Sequence, residues 1–226
     1  MEAVYHVSNF LQRCTLRTFA DYKVIGAENV PPMGPLVVVA NHLSNLDPSF
    51  LGASVPRRLK YLAKDNLFRA VGPVGRWYLR SYGAFPIDRV GVDAKAFRWA
   101  LRQLQQDAAL VIFPEGTRSR TASINEAKSG AVALILKSGA PVLPIGITGT
   151  ERMQPFLRVI NPTGQIRINI GQPFSLPSIE GRPSRELMRS MTADMMRRIC
   201  DLLPESYHGF YARDLAREED PAGVTL

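Results

Sequence analysis

The chain has little cysteine. Only Cys14 and Cys200 are present, and they do not form a C-x-x-C motif. A zinc cluster of thiolates is therefore excluded, and we expect neither a disulfide framework nor a metal site. This cysteine usage indicates a reducing compartment.

Long hydrophobic runs are also lacking. No stretch of about 18 apolar residues occurs, so no segment is predicted to span a bilayer. The N-terminus does not show the order of basic, apolar and small residues that is typical of a secretory signal peptide. We therefore expect a protein that is soluble or that rests on a membrane surface.

The remaining composition is that of an ordinary globular protein. Hydrophobic residues make up 46% of the 226 residues and charged residues 21%, which excludes wholesale disorder. A chain of this length can bury a substantial core without disulfides. Lys and Arg number 28 against 20 Asp and Glu, a net charge of +8. This surplus favours anionic partners, whether phosphate groups, acidic lipid surfaces or nucleic acid, and does not choose among them.

Short apolar runs, bounded by turn-forming residues such as Gly and Pro, alternate along the chain with segments of helical periodicity. Strands alternating with helices of about 12 or more residues indicate an α/β fold. We therefore predict a single domain with a central, mostly parallel or mixed sheet and helices on both faces. The predicted strands are residues 36–40, 59–63, 109–113, 141–147 and 166–170, and the predicted helices are 94–106, 125–138 and 184–203.

Residues 3–20 are predicted to form an amphipathic helix, because Val4, Val7 and Leu11 recur at helical spacing. Two interpretations stay open. The helix either packs on its own domain or lies in a lipid interface. We expect three segments along the chain: an N-terminal helix in 1–22, the main domain in 23–203 and a polar tail in 204–226.

A histidine and an acid follow the first predicted strand. His42 comes two residues after that strand, and Asp47 lies five residues further on. Ligands of open α/β sheets bind beyond the carboxyl ends of strands. The carboxylate would take a hydrogen bond from one ring nitrogen and leave the other to accept a proton. The alternative is structural, with Asp47 serving as a helix N-cap.

Positive residues stand at the ends of three further segments. Arg118 ends the turn Phe-Pro-Glu-Gly-Thr-Arg after a buried strand, Arg89 ends residues 83–89, and Lys128 lies in Ala-Lys-Ser-Gly. A guanidinium group offers a planar fork of donors that suits phosphate. Each arginine alone would be an ordinary solvated residue. Together with a paired histidine, these cations favour transfer to a hydroxyl on a phosphate-bearing substrate.

Asn-His-x4-Asp at residues 41–47, followed by Phe-Pro-Glu-Gly-Thr-Arg at 113–118, resembles the glycerolipid acyltransferase family. Residues 83–89 resemble the second block of that family and residues 140–145 its fourth. Lys-Asp-Asn-Leu-Phe at 64–68 resembles a recurrent stretch between the first two blocks. The resemblance spans residues 24–147.

The resemblance implies transfer of a fatty acyl group from a thioester to the sn-2 hydroxyl of lysophosphatidate, giving phosphatidate. It implies His42 as the general base and Asp47 as its orienting partner. Lys128 matches a position in Phe-Lys-x-Gly, with Ala127 in place of the aromatic residue. The implied substrate-binding residues are Arg89, Glu115, Gly116, Thr117, Arg118 and Lys128.

The resemblance also implies the partners. We expect acyl-CoA or an acyl-carrier-protein thioester as co-substrate, a lysophospholipid acceptor, and no further cofactor. We expect shallow, peripheral attachment to the cytoplasmic face of an anionic membrane.

Three alternatives stay open at this point. The acceptor could be glycerol 3-phosphate or another lysolipid. The protein could instead be a hydrolase, but the G-x-S-x-G motif that surrounds the nucleophilic serine of many hydrolases is absent. A nucleic-acid-binding protein would suit the charge, but no zinc-finger or RNP-like pattern appears, so we expect no nucleic-acid partner.

Overall fold

The computed structural model describes residues 2–88, 93–153, 156–179 and 181–212. Within these residues, seven strands form one sheet in the order β1-β7-β6-β2-β5-β3-β4. Every neighbouring pair is parallel except β6 and β7, which are antiparallel. The strands are β1 (Asp21–Ile25), β2 (Leu36–Ala40), β3 (Leu59–Lys64), β4 (Ala84–Ile87), β5 (Ala109–Ile112), β6 (Val142–Thr148) and β7 (Gln165–Ile170). The predicted α/β fold is confirmed.

Helices cover both faces of this sheet. Their bounds are α1 (Glu2–Phe19), α2 (Asp47–Ser54), α3 (Asp65–Ala70), α4 (Gly72–Tyr82), α5 (Ala94–Gln105), α6 (Gly130–Ser138) and α7 (Arg185–Cys200). Short 3-10 turns occur at Ala27–Asn29, Phe156–Val159, Glu205–Tyr207 and Gly209–Tyr211. Among the described helices, none combines the length and the apolar character needed to cross a bilayer.

The central strand β2 separates two hydrophobic cores, because successive side chains of a strand point to opposite faces. Val38 packs into a core formed with α1 and α2, which contribute Leu16 and Phe50. Val37 packs into a second core, to which α7 contributes Met195. All five residues of β2 are buried, as expected of a continuous apolar run at the centre of a sheet.

The parallel pairing of β2 and β5 positions the functional loops. Leu36 pairs with Ala109 and Val39 with Ile112, so the two strands end at the same edge of the sheet. The loop that carries His42 and the turn that begins at Phe113 therefore leave the sheet side by side.

Helix α1 buries a partly polar face and exposes an apolar one. Val7, Phe10 and Leu11 are exposed, with 64% of the Phe10 surface accessible. Gln12 on the buried face is hydrogen-bonded at both ends of its amide: its Nε2 donates to the carbonyl of Val159 at 3.2 Å, and its Oε1 accepts from Ser49 at 2.8 Å. The helix is thus anchored to the domain while its apolar stripe faces outward. The buried face consists of Tyr5, Asn9, Gln12 and Leu16.

Strand β1 and helices α3 and α4 are not among the predicted elements, and two predicted segments differ in the structure. Helix α6 begins at Gly130 rather than at residue 125, because the preceding backbone bonds to the strand-end loop instead, with Lys128 N donating to the carbonyl of Pro114 at 2.9 Å. Residues 204–212, expected in the polar tail, form two 3-10 turns that pack on the domain. Tyr211 is buried there and its hydroxyl accepts from Ala127 N at 3.0 Å. The rest of the expected tail, 213–226, lies outside the described residues.

Candidate active site

His42 and Asp47 form a hydrogen-bonded pair at the carboxyl end of β2. His42 Nδ1 lies 2.8 Å from Asp47 Oδ2. Because this contact occupies Nδ1, Nε2 is the ring nitrogen that remains for a substrate proton. The imidazole stacks on Phe113, with ring centroids 4.1 Å apart, and 8% of the surface of His42 is accessible. The ring is therefore held between the carboxylate and the phenyl ring, and a small part of it stays open to solvent.

The carboxylate of Asp47 is fully buried and saturated with donors. Its Oδ2 also accepts hydrogen bonds from the main-chain nitrogens of Leu43, at 2.7 Å, and Ser44, at 2.8 Å. Its Oδ1 accepts from the hydroxyl of Thr150 at 2.7 Å. Asp47 is the first residue of α2, and Leu46 occupies the cap position without a side-chain cap. The carboxylate thus turns back onto the histidine loop.

Glu115 joins the two loops of the site. Its Oε1 accepts from the main-chain nitrogen of His42 at 2.9 Å, and its Oε2 accepts from the main-chain nitrogen and the side chain of Asn125 at 2.8 and 2.9 Å. Burial raises the pKa of the Glu115 carboxyl, and these hydrogen bonds oppose that rise. The Glu115 side chain is buried, and it links the main chain of the histidine loop to Asn125.

The Phe-Pro-Glu-Gly-Thr-Arg turn lies directly against the histidine loop. Ser119 N donates to the carbonyl of His42 at 2.7 Å. This bond holds the neighbouring residues Thr117 and Arg118 beside the dyad, with both side chains exposed at the rim. The exposed Arg118 therefore belongs to the turn that is bonded to the histidine loop.

Gly116 and Lys128 meet at the other side of this turn. Gly116 adopts a positive φ of 70°, a conformation that glycine adopts without steric cost. A Cβ at this position would lie 3.4 Å from Cδ and Cε of Lys128. The glycine therefore provides the turn and leaves room for the lysine side chain. Arg89, the other predicted phosphate ligand, lies outside the described residues.

An apolar cavity of about 340 Å³ opens next to the turn. It runs between the sheet and the two helices α5 and α6. Phe113 and Gly116 belong to its wall, so the cavity begins beside the ring that stacks on His42. Charged lining residues are Asp88, Asp93 and Lys128, and the hydrophobic members of the lining include Leu62, Phe97, Ala100, Val111 and Leu134.

Two site residues have no role in the prediction from sequence: Asn41, although it stands in the Asn-His-x4-Asp motif, and Thr150. Asn41 and the main chain of Ile147 bond reciprocally, at 2.8 and 2.7 Å, which ties the histidine loop to β6. Thr150 reaches Asp47 from the turn after β6. The available signal was the Thr-Gly-Thr sequence at the end of a buried strand, since polar residues at that edge face the site.

Comparison with known proteins gives a consistent result. Residues 21–148, more than half of the chain, match the family model described as Acyltransferase. A 1-acyl-sn-glycerol-3-phosphate acyltransferase of Bacillus subtilis is 28% identical over 184 residues, which cover 80% of this chain and 87% of that protein. The chloroplastic 1-acyl-sn-glycerol-3-phosphate acyltransferase LPAT1 of Arabidopsis thaliana is 31% identical over 69% of this chain. The chain spans only 44% of that plant protein.

A solved structure shares the fold. The crystal structure of the 1-acyl-sn-glycerophosphate acyltransferase from Thermotoga maritima superposes with a TM-score of 0.65 and 28% sequence identity. The match covers 88% of this chain and 79% of the other.

Proposed function

The chain belongs to the acyltransferase family, and on this premise we propose that it moves a fatty acyl group from a thioester to the sn-2 hydroxyl of lysophosphatidate, giving phosphatidate. The observation that carries the proposal is the 2.8 Å bond between His42 Nδ1 and Asp47 Oδ2, beside an exposed arginine turn. The names of the Bacillus and Thermotoga relatives support the choice of acceptor.

His42 acts as the general base in this proposal. Its Nε2 takes the proton of the acceptor hydroxyl as the oxygen attacks the thioester carbonyl. The C–S bond then breaks, and the imidazolium returns the proton to the leaving thiolate. Asp47 holds the imidazole in orientation and stabilises its positive charge. A positioned base of this kind contributes about 10²- to 10⁴-fold to the rate. The nucleophile is the substrate's own hydroxyl, so no acyl-enzyme forms.

Cations at the rim bind the phosphate of the acceptor. Arg118 projects from the turn held against His42, and Lys128 lies across Gly116. Each charge-assisted hydrogen bond contributes about 1.5–3 kcal/mol, less where the pair stays exposed to solvent. We assign Arg89 as a further phosphate ligand on the basis of the family motif. Thr117 and Gly116 complete the turn that presents these groups.

The apolar cavity takes the acyl chain of the donor. Its opening beside Phe113 would place the thioester carbonyl near Nε2 of His42 while the chain runs between α5 and α6. Burial of each methylene stabilises the bound chain by about 0.8 kcal/mol. The donor is a coenzyme A or acyl-carrier-protein thioester, and the basic surface suits either anion.

A bilayer covers the outward face of α1 and α4. The hydroxyl of Tyr78 lies 3.2 Å from that of Ser8, so the two helices are adjacent. On α4, Val74 and Trp77 are 78% and 57% exposed, and Val7, Phe10 and Leu11 are exposed on the adjacent α1. Exposed arginines at positions 76 and 80 flank them, which suits the anionic cytoplasmic leaflet. We name Val7, Phe10, Leu11, Val74, Trp77 and Tyr78 the α1–α4 apolar face.

The full chain can be tested with labelled acceptors. Lysophosphatidate and glycerol 3-phosphate are each incubated with acyl-CoA and with acyl carrier protein thioester, and the lipid products are separated by chromatography. We expect labelled phosphatidate from lysophosphatidate. Acylation of glycerol 3-phosphate alone would replace the proposed acceptor, and a covalent acyl-serine on the protein would replace the mechanism.

A further inference from the structure

The two oxygens of the Asp47 carboxylate are held very differently. Three donors converge on Oδ2: the ring of His42 and the main-chain nitrogens of Leu43 and Ser44. A carboxylate fixed at one oxygen can still pivot about that point. The second oxygen, Oδ1, accepts from Thr150 Oγ1 at 2.7 Å, and this contact defines the plane of the group.

Thr150 is itself rigidly placed. It is fully buried, and it follows Gly149, whose φ is +85° and where a Cβ would overlap the carbonyl oxygen of Gln165. The carbonyl of Thr150 accepts from Met153 N at 3.0 Å, which closes a tight turn. The threonine hydroxyl is therefore presented from a backbone that has little freedom to move.

The same turn makes a second contact with the histidine loop. The carbonyl of Met153 accepts from the hydroxyl of Ser44 at 3.0 Å. Ser44 lies between His42 and Asp47 in sequence, so the turn at 150–153 contacts both the carboxylate and the loop that surrounds it. Burial of the polar side chains of Thr150 and Ser44 is unfavourable unless their hydroxyls are hydrogen-bonded. Both hydroxyls have a partner here, which keeps the arrangement stable.

We propose that Thr150 is a positioning residue for acyl transfer, whose hydroxyl orients the Asp47 carboxylate so that Oδ2 faces Nδ1 of His42. The proposal rests on the assignment of His42 as the general base. Thr150 acts through Asp47 and touches neither substrate. Loss of the Thr150 hydroxyl misaligns the imidazole of His42 and leaves the proposed phosphate-binding side chains, Arg118 and Lys128, unchanged.

Three variants of the full chain test this role. Thr150→Val keeps the shape and removes the hydroxyl, and Thr150→Ser keeps the hydroxyl. Thr192→Val is the matched control, because its buried hydroxyl donates to the carbonyl of Met188 within α7. We expect Thr150→Val to lower kcat about 10- to 100-fold with unchanged KM for both substrates, since a small misplacement of a catalytic group has effects of this size. Thr150→Ser should recover most of kcat, and Thr192→Val should retain it.

A spectroscopic readout separates this proposal from the proposed function. The downfield proton resonance of His42 Nδ1–H reports its hydrogen bond to Asp47 whether or not the enzyme turns over. We expect the resonance in the wild type and in Thr150→Ser, and its loss or shift in Thr150→Val. Failure of the wild type to acylate lysophosphatidate would overturn the proposed function alone. A Thr150→Val variant with an unchanged resonance, or with wild-type kcat, would overturn the positioning role.

Discussion

Glu115 Oε1 accepts a hydrogen bond of 2.9 Å from the main-chain nitrogen of His42, which lies 73 positions earlier in the chain. The contact joins the loop after β2 to the turn after β5. Two sequence blocks that are far apart therefore behave as one structural unit. The carboxylate serves as an acceptor for three donors, a task that a neutral amide cannot perform.

Glu115→Gln is expected to misalign the histidine loop. The amide nitrogen of the new side chain must face a donor, which leaves buried groups unsatisfied at a cost of about 1–3 kcal/mol. We predict a lower urea midpoint and a kcat reduced about 10- to 100-fold. Glu126→Gln is the control, since Glu126 is exposed in the same loop region. Wild-type kcat in Glu115→Gln would show that the contact is dispensable.

Arg118→Ala is expected to weaken binding of the acceptor phosphate. Loss of one charge-assisted hydrogen bond at an exposed rim should raise the KM for lysophosphatidate about tenfold and leave the KM for the donor unchanged. The neighbouring exposed Arg120 provides the control variant Arg120→Ala. Steady-state kinetics with each substrate varied in turn measures the effect. An equal rise of the KM for lysophosphatidate in Arg118→Ala and Arg120→Ala would indicate a general effect of surface charge and would contradict a phosphate contact at Arg118.

Ala100→Leu is expected to shorten the acyl chains that the enzyme accepts. Ala100 lines the cavity one helical turn further from the site edge than Ala96. A larger side chain there should exclude the terminal methylenes of a long acyl chain. Each excluded methylene should weaken binding of a long-chain donor about fourfold. Ala94→Leu, at the exposed start of α5, is the control. Competition between donors of different lengths measures the preference, and an unchanged preference would remove the acyl chain from this cavity.

Phe10→Ser and Trp77→Ser are each expected to reduce binding to vesicles that contain anionic lipid. Partial burial of one large side chain in the interface is worth about 1–2 kcal/mol, so each change should lower partitioning roughly tenfold. Met33→Ser is the control, because it removes an apolar residue that is more exposed than either and lies outside the α1–α4 apolar face. Sedimentation with vesicles measures the bound fraction. Equal partitioning of all three variants would contradict the proposed bilayer contact.

The site could be predicted from sequence where it follows from strand order. Residues 36–40 and 109–113 are continuous apolar runs, and strands of that kind lie at the centre of a parallel sheet. Once two such strands are parallel neighbours, their carboxyl ends meet, and the residues that follow must lie together. The closeness of His42 to the Phe-Pro-Glu-Gly-Thr-Arg turn is a consequence of this topology.

Other features depend on contacts between distant residues. Helical periodicity locates an apolar stripe on α1, but it does not decide which face the domain covers. Here the covered face carries Asn9 and Gln12, which find partners far along the chain in Tyr82 and Val159. Thr150 likewise lies 103 positions from the carboxylate that it contacts. Hydrogen bonds between residues so distant in sequence form only in the packed fold, and no local sequence pattern predicts them.

The proposed role of His42 as the base is tested most directly by single-turnover acyl transfer in His42→Ala, with the exposed His6→Ala as control. Circular dichroism and the urea midpoint establish that the variant is folded. We predict a rate of transfer to lysophosphatidate about 10²- to 10⁴-fold below that of the wild type, with His6→Ala unaffected. Transfer by folded His42→Ala at a rate near that of the wild type would contradict the assignment of this imidazole as the base.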